Sequence, residues 1–318
     1  MTAFSPILCL LGPTASGKTA LSLRLAEHAA RAGRTGRAVE IINIDSVQVY
    51  RGLDIGSAKP SVAEQAGIPH HLIDVADPSE AFTAAKFVQL AVPIIQAIQA
   101  RGAWPVLVGG TMLYVKALTE GFADLPPADA ALRQQLQAEA QQQGWPLLHQ
   151  RLSQLDPITA AKLHPNDSIR IQRALEVCLL TGQPFSSQLQ PVPPLPQQSW
   201  LKFALLPERG VLHQRIEQRF QLMMQQGFLD EVRALFERGD LHVELPAIRA
   251  AGYRQLWGYL AQESGFETLE MAVQKGIFAT RQLAKRQITW IRGEAECVQG
   301  LSPDMDLNFQ TLAASIKP

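Results

Sequence analysis

The sequence predicts an α/β fold: a parallel sheet flanked by helices, with a mostly helical insertion domain and a helical C-terminal part. Three observations carry this. Short, continuously apolar runs alternate with helical patterns through the first 123 residues, as strands buried on both faces require. The first run leads directly into Gly12-Pro13-Thr14-Ala15-Ser16-Gly17-Lys18-Thr19, which fits G-x-x-x-x-G-K-[ST] and makes the sheet P-loop NTPase-like. From Asp124 to about Gln198 the strand pattern is lost, and leucines recur at helical spacing instead.

Taken in order, Ile7 to Leu11 reads as a buried strand and Thr19 to Ala30 as the helix after it. Val39 to Ile44 is a second strand and His71 to Val75 a short third. Ala84 to Gln99 is helical, and Pro105 to Val108 is a buried strand ending in Gly109-Gly110. In the insertion, Leu132, Leu136 and Ala140 form one helical stripe, and Leu148, Leu152 and Leu155 another. Asp156-Pro157 is an N-cap and first-turn pair, and Asn166-Asp167 opens a helix that stops at Gly182. Prolines at 126–127 and 191–196 bracket the block. The expected division is therefore 1–123 for the first part of the core and 124–198 for the helical insertion. Residues 199–318 supply a return strand (Trp200 to Leu206) and the helices that complete the core. Ile216, Phe220 and Met223 mark one C-terminal helix, and Val232, Leu235 and Phe236 the next. Thr268 to Arg292 forms a long one ending at Gly293. The tail after Leu301 is weakly patterned and expected to be peripheral.

Composition excludes several classes. With 47% apolar residues the chain has ample material for a core, and no run of eighteen apolar residues could span a membrane. Met1 to Leu11 has no basic lead-in or small-residue cleavage site, so it is expected to be a strand and not a signal peptide. Three scattered cysteines, Cys9, Cys178 and Cys297, suit a reducing, cytoplasmic setting better than disulfides or a cysteine-built zinc site. His70 and His71 point to opposite faces of a strand and make a poor metal pair.

The glycine motif carries the clearest chemistry. Gly12 and Gly17 let backbone N–H groups converge on an anion at a helix N-terminus. Lys18 adds a cation, and the Thr19 hydroxyl is placed to ligate a magnesium ion carried by the phosphates. The motif implies a di- or triphosphate ligand but does not say which bond breaks. Asp45, at the end of the second strand, either caps its turn or takes a proton from a nucleophile; it faces the cradle if strand two neighbours strand one. Gly109-Gly110-Thr111 either makes a tight turn or brings a hydroxyl beside Asp45. Arg215 and Arg219, at i and i+4, form a solvated face or a pair of forks for a diphosphate.

The 29 basic and 29 acidic residues balance to zero net charge, yet the basic ones cluster. Five lie between Lys275 and Arg292 with no acid among them. Arg281, Lys285, Thr289 and Arg292 share a face opposite Ile277, Ala284, Ile288 and Ile291. Such a face suits a nucleic-acid backbone. Arg170 and Arg173 in the insertion point the same way, as does Arg249-Ala250-Ala251-Gly252-Tyr253-Arg254, whose tyrosine would stack on an unpaired base. Arginine outnumbers lysine 20 to 9, which favours directed phosphate and base contacts.

These stretches together resemble the tRNA dimethylallyltransferase (tRNA isopentenyltransferase) family. The likeness runs through 12–19, Asp45-Ser46 with Gln48 and Tyr50, Arg51 to Pro60, and Val108 to Tyr114. It continues through His164 to Asp167, Gly252 to Gln255 and Thr280 to Trp290, about residues 6 to 293 in all. The resemblance implies transfer of a dimethylallyl group from dimethylallyl diphosphate to N6 of the adenosine immediately 3′ of the anticodon, in tRNAs reading codons that begin with U. It implies Asp45 as general base with Thr111 beside it, and Thr14 to Thr19 with magnesium, Arg219 and Arg215 at the diphosphate. It also implies tRNA contacts at Asp45, Ser46, Val47 and Gln48, at Thr111 and Arg133, and at Ile169, Arg170, Ile171, Gln172 and Arg173. Further contacts are implied at Arg249 to Arg254, and at Lys285, Arg286, Gln287, Ile288, Thr289, Trp290, Ile291 and Arg292. The loop from Glu27 to Val39 is longer than the family's usual one, with three arginines that could touch RNA. A monomer is the family-level expectation. A P-loop kinase for a nucleoside or small metabolite is the main rival. A nucleotide-gated RNA-binding module and an enzyme prenylating free adenine nucleotides are the others.

Overall fold

The computed structural model describes residues 6–31, 38–123, 125–294, 298–301 and 304–315. Cys297, Glu296 and two of the loop arginines, Arg34 and Arg37, lie outside them. The described chain forms two compact units, one drawn from residues up to Thr119 and from Leu195 onward, the other Glu120–Pro194.

The larger unit is built on six parallel strands: β1 (Ile7–Leu11), β2 (Val39–Ile44), β3 (His70–His71), β4 (Trp104–Gly109), β5 (Trp200–Leu205) and β6 (Val298–Leu301). Their spatial order is β3-β2-β4-β1-β5-β6. Every residue of β1, β2 and β4 is buried, which explains why these strands read as unbroken apolar runs and not as alternating ones. One face packs under α1 (Lys18–Arg31), through Leu21, Leu25, Ala26 and Ala29. The opposite, larger cluster joins α2 (Ala84–Ala100) and α3 (Met112–Thr119) to the C-terminal helices.

The smaller unit holds α4 (Ala130–Gln143), α5 (Trp145–Leu155), α6 (Pro157–Ala160), α7 (Ser168–Thr181) and a 3-10 turn, Phe185–Gln188. Leu136, Leu148, Leu152, Ile171 and Leu175 fill its core, while Leu155 is 40% exposed and leaves the stripe predicted for it. Asp156 caps α6 from Thr159 N and also accepts from Ser186, and Asp167 caps α7 from Arg170 N.

After β5 come α8 (Arg209–Gln225), α9 (Phe228–Glu237), α10 (Tyr253–Leu260) and α11 (Leu269–Gly293). The last begins at Thr268, whose hydroxyl accepts from Met271 N. Residues 298–301, where no strand was expected, extend the sheet beside β5. The tail after Leu301 is not peripheral: α12 (Met305–Ser315) lays Leu312, wholly buried, against α1, with Arg24 bonded to Asp306 at 2.6 Å. A four-residue edge strand is too short to leave a periodic signature. The third strand also differs, pairing only at His70 and His71.

Candidate active site

The cradle forms because β1 ends in a loop that ordinary residues could not close. Gly17 has φ 97°, and a Cβ on Gly12 would stand 2.7 Å from Ser16 Oγ and 2.8 Å from Leu205 O. The loop turns on a Ser16 N–H donated to Pro13 O and feeds α1, whose first turn has unpaired N–H groups by construction. Ser16 Oγ is buried with no protein partner, a polar atom waiting for an oxygen-rich ligand. Lys18 donates to Pro13 O at 3.1 Å. Burial pulls its pKa from 10.5 down to about 8, opposed by the charge of Asp45 and assisted by Arg219. A buried cation beside a second cation is stabilised by a bound anion. Among the described residues no group of three His, Cys, Asp or Glu could hold a metal. Thr19 is exposed at the cradle's edge, so the donor set fits a magnesium ion that takes few protein ligands and is held mainly by phosphate.

Asp45 reaches the same place by a different route from the one the sequence suggests. Strand β2 does not neighbour β1; β4 lies between them, with Leu11 paired to Gly109 and Gly109 to Ile44. Gly109, at that pairing, and Gly110 after it are what bring Asp45 and the cradle together. A Cβ on Gly109 would lie 2.6 Å from the carbonyl carbon and oxygen of Ile44, and one on Gly110 would lie 2.9 Å from Gly12 O. Both glycines therefore permit close backbone approach. Asp45 is held by its neighbours: its N–H donates to Asn43 Oδ1, and its Oδ1 accepts from Val47 N at 2.9 Å. Thr111 locks the adjoining turn, donating its N–H to Ile44 O and accepting from Ser46 N at 3.0 Å.

Asp45, Thr14, Lys18, Thr19 and Arg219 line one small cavity. Arg219 is half-buried there, its pKa lowered by burial against the pull of Asp45 and Glu64, whereas Arg215 one turn earlier is exposed. A neighbouring cavity of about 240 Å³ is bounded by Asp45, Thr111 and Arg219 on its polar side. Phe220, Met223, Leu283 and Trp290 bound its apolar side. The site can therefore seat an anion beside a carboxylate, with an apolar group between them. Sequence reading missed those apolar walls, because Phe220 and Met223 look like ordinary core positions of α8. It also missed Glu231 of α9, whose carboxylate accepts from the N–H groups of Asp54, Ile55 and Gly56 and from the Tyr253 hydroxyl. That clasp fixes the stretch Asp54 to Pro60, to which Gln48 is also tied through Ser57 O and Ala58 O. No periodicity or motif in the sequence marks Glu231.

The predicted RNA-facing residues divide sharply. On α11, Lys285, Arg286, Thr289 and Arg292 are exposed, while Ile291 is 2% exposed and Ile288 half-buried. Arg281 is not on the open face: it pairs with Glu217 of α8 at 2.7 Å. Gln287 turns inward, accepting from Thr14 N and donating to Gly110 O. Arg249 is exposed, but Tyr253 is wholly buried with its hydroxyl on Glu231, so it cannot stack on a base as the sequence suggested. Arg254 pairs with Glu263. In the smaller unit Ile169 and Arg170 are exposed, and Ile171 is core. Arg133 and Arg173 both bond to Glu176, which is wholly buried, and Gln172 donates to Arg133 O. Burial pushes the Glu176 pKa up, but Arg133, Arg173 and the Asp129 N–H outweigh it and hold it below the usual range. The histidines are likewise occupied, His70 with Ile68 O and His71 with Glu40.

A glycine-rich loop of P-loop pattern on a wholly parallel sheet, opening onto a carboxylate at the end of a second strand and an adjoining apolar pocket, places the protein in the α/β class whose loops suit phosphate-bearing ligands. The IPP transferase family model matches residues 48–294. The tRNA dimethylallyltransferase of Ralstonia nicotianae is 54% identical over 307 residues, covering 93% of this chain and 92% of that one. Among solved structures, the full-length tRNA isopentenylpyrophosphate transferase of Bacillus halodurans aligns with TM-score 0.68 and 38% identity, over 98% of this chain and 95% of that one. A eukaryotic dimethylallyltransferase acting on tRNA aligns with TM-score 0.76 and 26% identity, over 97% and 77%. The chain belongs to the IPP transferase family, alongside the tRNA dimethylallyltransferases.

Proposed function

We propose that this protein transfers the dimethylallyl group of dimethylallyl diphosphate to N6 of the adenosine immediately 3′ of the anticodon, in tRNAs reading codons that begin with U. The observation that carries this is the shared lining of one cavity by Asp45, Lys18 and Arg219, continuous in character with an apolar pocket at Phe220, Met223 and Trp290. The loop N–H groups, Lys18 and Arg219 bind the diphosphate and take the charge that builds as the C–O bond breaks. Thr19 would hold a magnesium ion shared with the phosphates, and that ion would supply neutralising charge to the leaving group. Asp45 orients the adenosine amine; its nitrogen forms the new bond to the allylic carbon, and Asp45 accepts the proton released. Asp45 is half-buried at the strand end, beside the cradle and at the floor of the apolar pocket, so the adenosine must leave the loop's stack to reach it. The exposed cations Lys285, Arg286 and Arg292, with Arg249 and with Arg170, which also pairs with Asp167 at 3.4 Å, are the groups assigned to tRNA phosphates.

No described helix is long and apolar enough to cross a membrane. Cys9 and Cys178 are both buried and free, which supports a reducing, cytoplasmic setting, and we read the enzyme as a monomer. Family membership disfavours the kinase reading. The decisive experiment incubates the protein with radiolabelled dimethylallyl diphosphate and unmodified tRNA, with ATP in a parallel tube. Label entering RNA is the expected result; phosphate transfer from ATP without RNA labelling would restore the kinase. Asp45→Ala is expected to lower turnover by about 10²–10⁴-fold with tRNA affinity nearly intact; wild-type turnover would remove Asp45 from the mechanism.

A further inference from the structure

Gln287 is the one side chain of the α11 segment from Lys285 to Arg292 that is bonded to both loops of the site. Its Oε1 accepts from Thr14 N at 2.9 Å, and its Nε2 donates to Gly110 O at 3.0 Å. Thr14 belongs to the loop after β1 and Gly110 to the loop after β4, the two strands paired at Leu11 and Gly109. From Gly110 the chain runs directly to Thr111, which holds Ser46 and the Ile44 carbonyl on either side of Asp45. Beyond the last strand pairing, a single amide therefore bridges the cradle and the turn that leads to Thr111. The fit is tight: a Cβ on Gly110 would stand 2.3 Å from Gln287 Nε2. Only a side chain offering one acceptor and one donor at this length satisfies both loops; a carboxylate or an ammonium satisfies one at most. Its neighbours Lys285 and Arg286 are exposed, so the same helix turn presents cations outward and the clasp inward.

We infer that Gln287 is a positioning residue for the transfer reaction and not an RNA contact: it clamps the diphosphate loop against the Gly110-Thr111 turn, so that the leaving group and the base keep their separation. A displacement of about 1 Å between reacting groups can cost about 10²-fold in rate, so a clamp of this kind is worth at least an order of magnitude. The inference rests on the proposed transfer activity, and its test has an arm that does not.

Gln287→Met keeps the volume and loses both bonds, whereas Gln287→Glu keeps the acceptor and sets a carboxylate against the Gly110 carbonyl. Both are expected to lower kcat at saturating tRNA by tenfold or more. Both should also weaken inorganic diphosphate with Mg2+, measured by calorimetry, by threefold or more. The tRNA Kd and its salt dependence stay within twofold of wild type. The reverse pattern, lost tRNA affinity with kcat and diphosphate binding unchanged, overturns the inference, as does wild-type behaviour in every measurement. If the wild type transfers no dimethylallyl group, the functional reading fails, and the diphosphate calorimetry still decides the clamp. Should Gln287→Met fail to fold, Gln287→Asn, one methylene too short to reach both partners, is read in its place with the same expected outcomes.

Discussion

Replacing Gly109 by alanine would test how tightly the carboxyl end of β4 couples the cradle to the base. The added Cβ would lie 2.6 Å from the carbonyl carbon and oxygen of Ile44 and 2.8 Å from its Cγ1. Carbon contacts settle at about 3.5–4.0 Å, so β2 and β4 must part by roughly 1 Å at this point. Because the obstacle is backbone, no rotamer change relieves it. Overpacking of this kind costs about 1–3 kcal/mol, or roughly 2–12 °C in melting temperature for a unit of this size. The displaced residue immediately precedes Asp45, and an error of about 1 Å in the base is worth about 10²-fold in rate. The assay is dimethylallyl transfer to tRNA at saturating substrates, run below the melting transition, with tRNA affinity measured separately. Turnover is expected to fall about 10²-fold while tRNA Kd changes less than twofold. Gly300→Ala, where nothing lies within 4 Å of the new Cβ, is the control and should match the wild type. Wild-type turnover in Gly109→Ala would show that the strand ends give way without moving Asp45, and would refute the close-approach account of this glycine.

Neutralising Lys285 and Arg286 to glutamine should weaken tRNA binding and reduce the slope of log K against log salt by about 1–2; an unchanged slope would exclude this face. Because the Lys18 pKa of about 8 lies below its usual 10.5, free protein above pH 8 holds less charge at the cradle. Inorganic diphosphate affinity should therefore fall by about tenfold per unit above pH 8, with proton uptake on binding, and a flat profile to pH 9.5 would contradict it. The same depression means the unfolded chain binds more protons between pH 8 and 10.5, so this group makes the ligand-free protein more stable as pH rises through that window. Glu176→Ala removes the shared partner of Arg133 and Arg173, leaving Arg173 on Pro126 O, and should destabilise the smaller unit by about 1–3 kcal/mol, seen as a lowered denaturation midpoint. A midpoint equal to wild type would show that Glu176 is not the anchor of that cluster.

Much of the sheet was legible because its strands are buried on both faces and its turns are marked by glycine. Strands β1, β2 and β4 begin and end within a residue or so of the apolar runs that predicted them. The caps at Asp156 and Asp167 were legible for a local reason, since each bonds within three residues of itself. The tail was not: β6 owes its strand to the open edge of β5, and α12 owes its buried leucine to α1. Tyr253 was misread for a similar reason. An aromatic beside two arginines looks like a base-stacking element, but Glu231, twenty-two residues away in sequence, draws its hydroxyl inward.

The sequence alone determined the chemistry of the phosphate cradle, because the glycines, Lys18 and Thr19 act over a single turn whose conformation is local. It also set Asp45 at a strand's carboxyl end. Only the tertiary structure decided that β4 lies between β1 and β2, that two glycines let Asp45 and the cradle meet across it, and that Gln287 joins the loops after β1 and β4. It likewise decided which arginines are paired with carboxylates inside the fold, as Arg133, Arg173 and Arg281 are, and which stay exposed. Spatial order and side-chain partnership depend on residues far apart along the chain, and neither leaves a period or a motif to read.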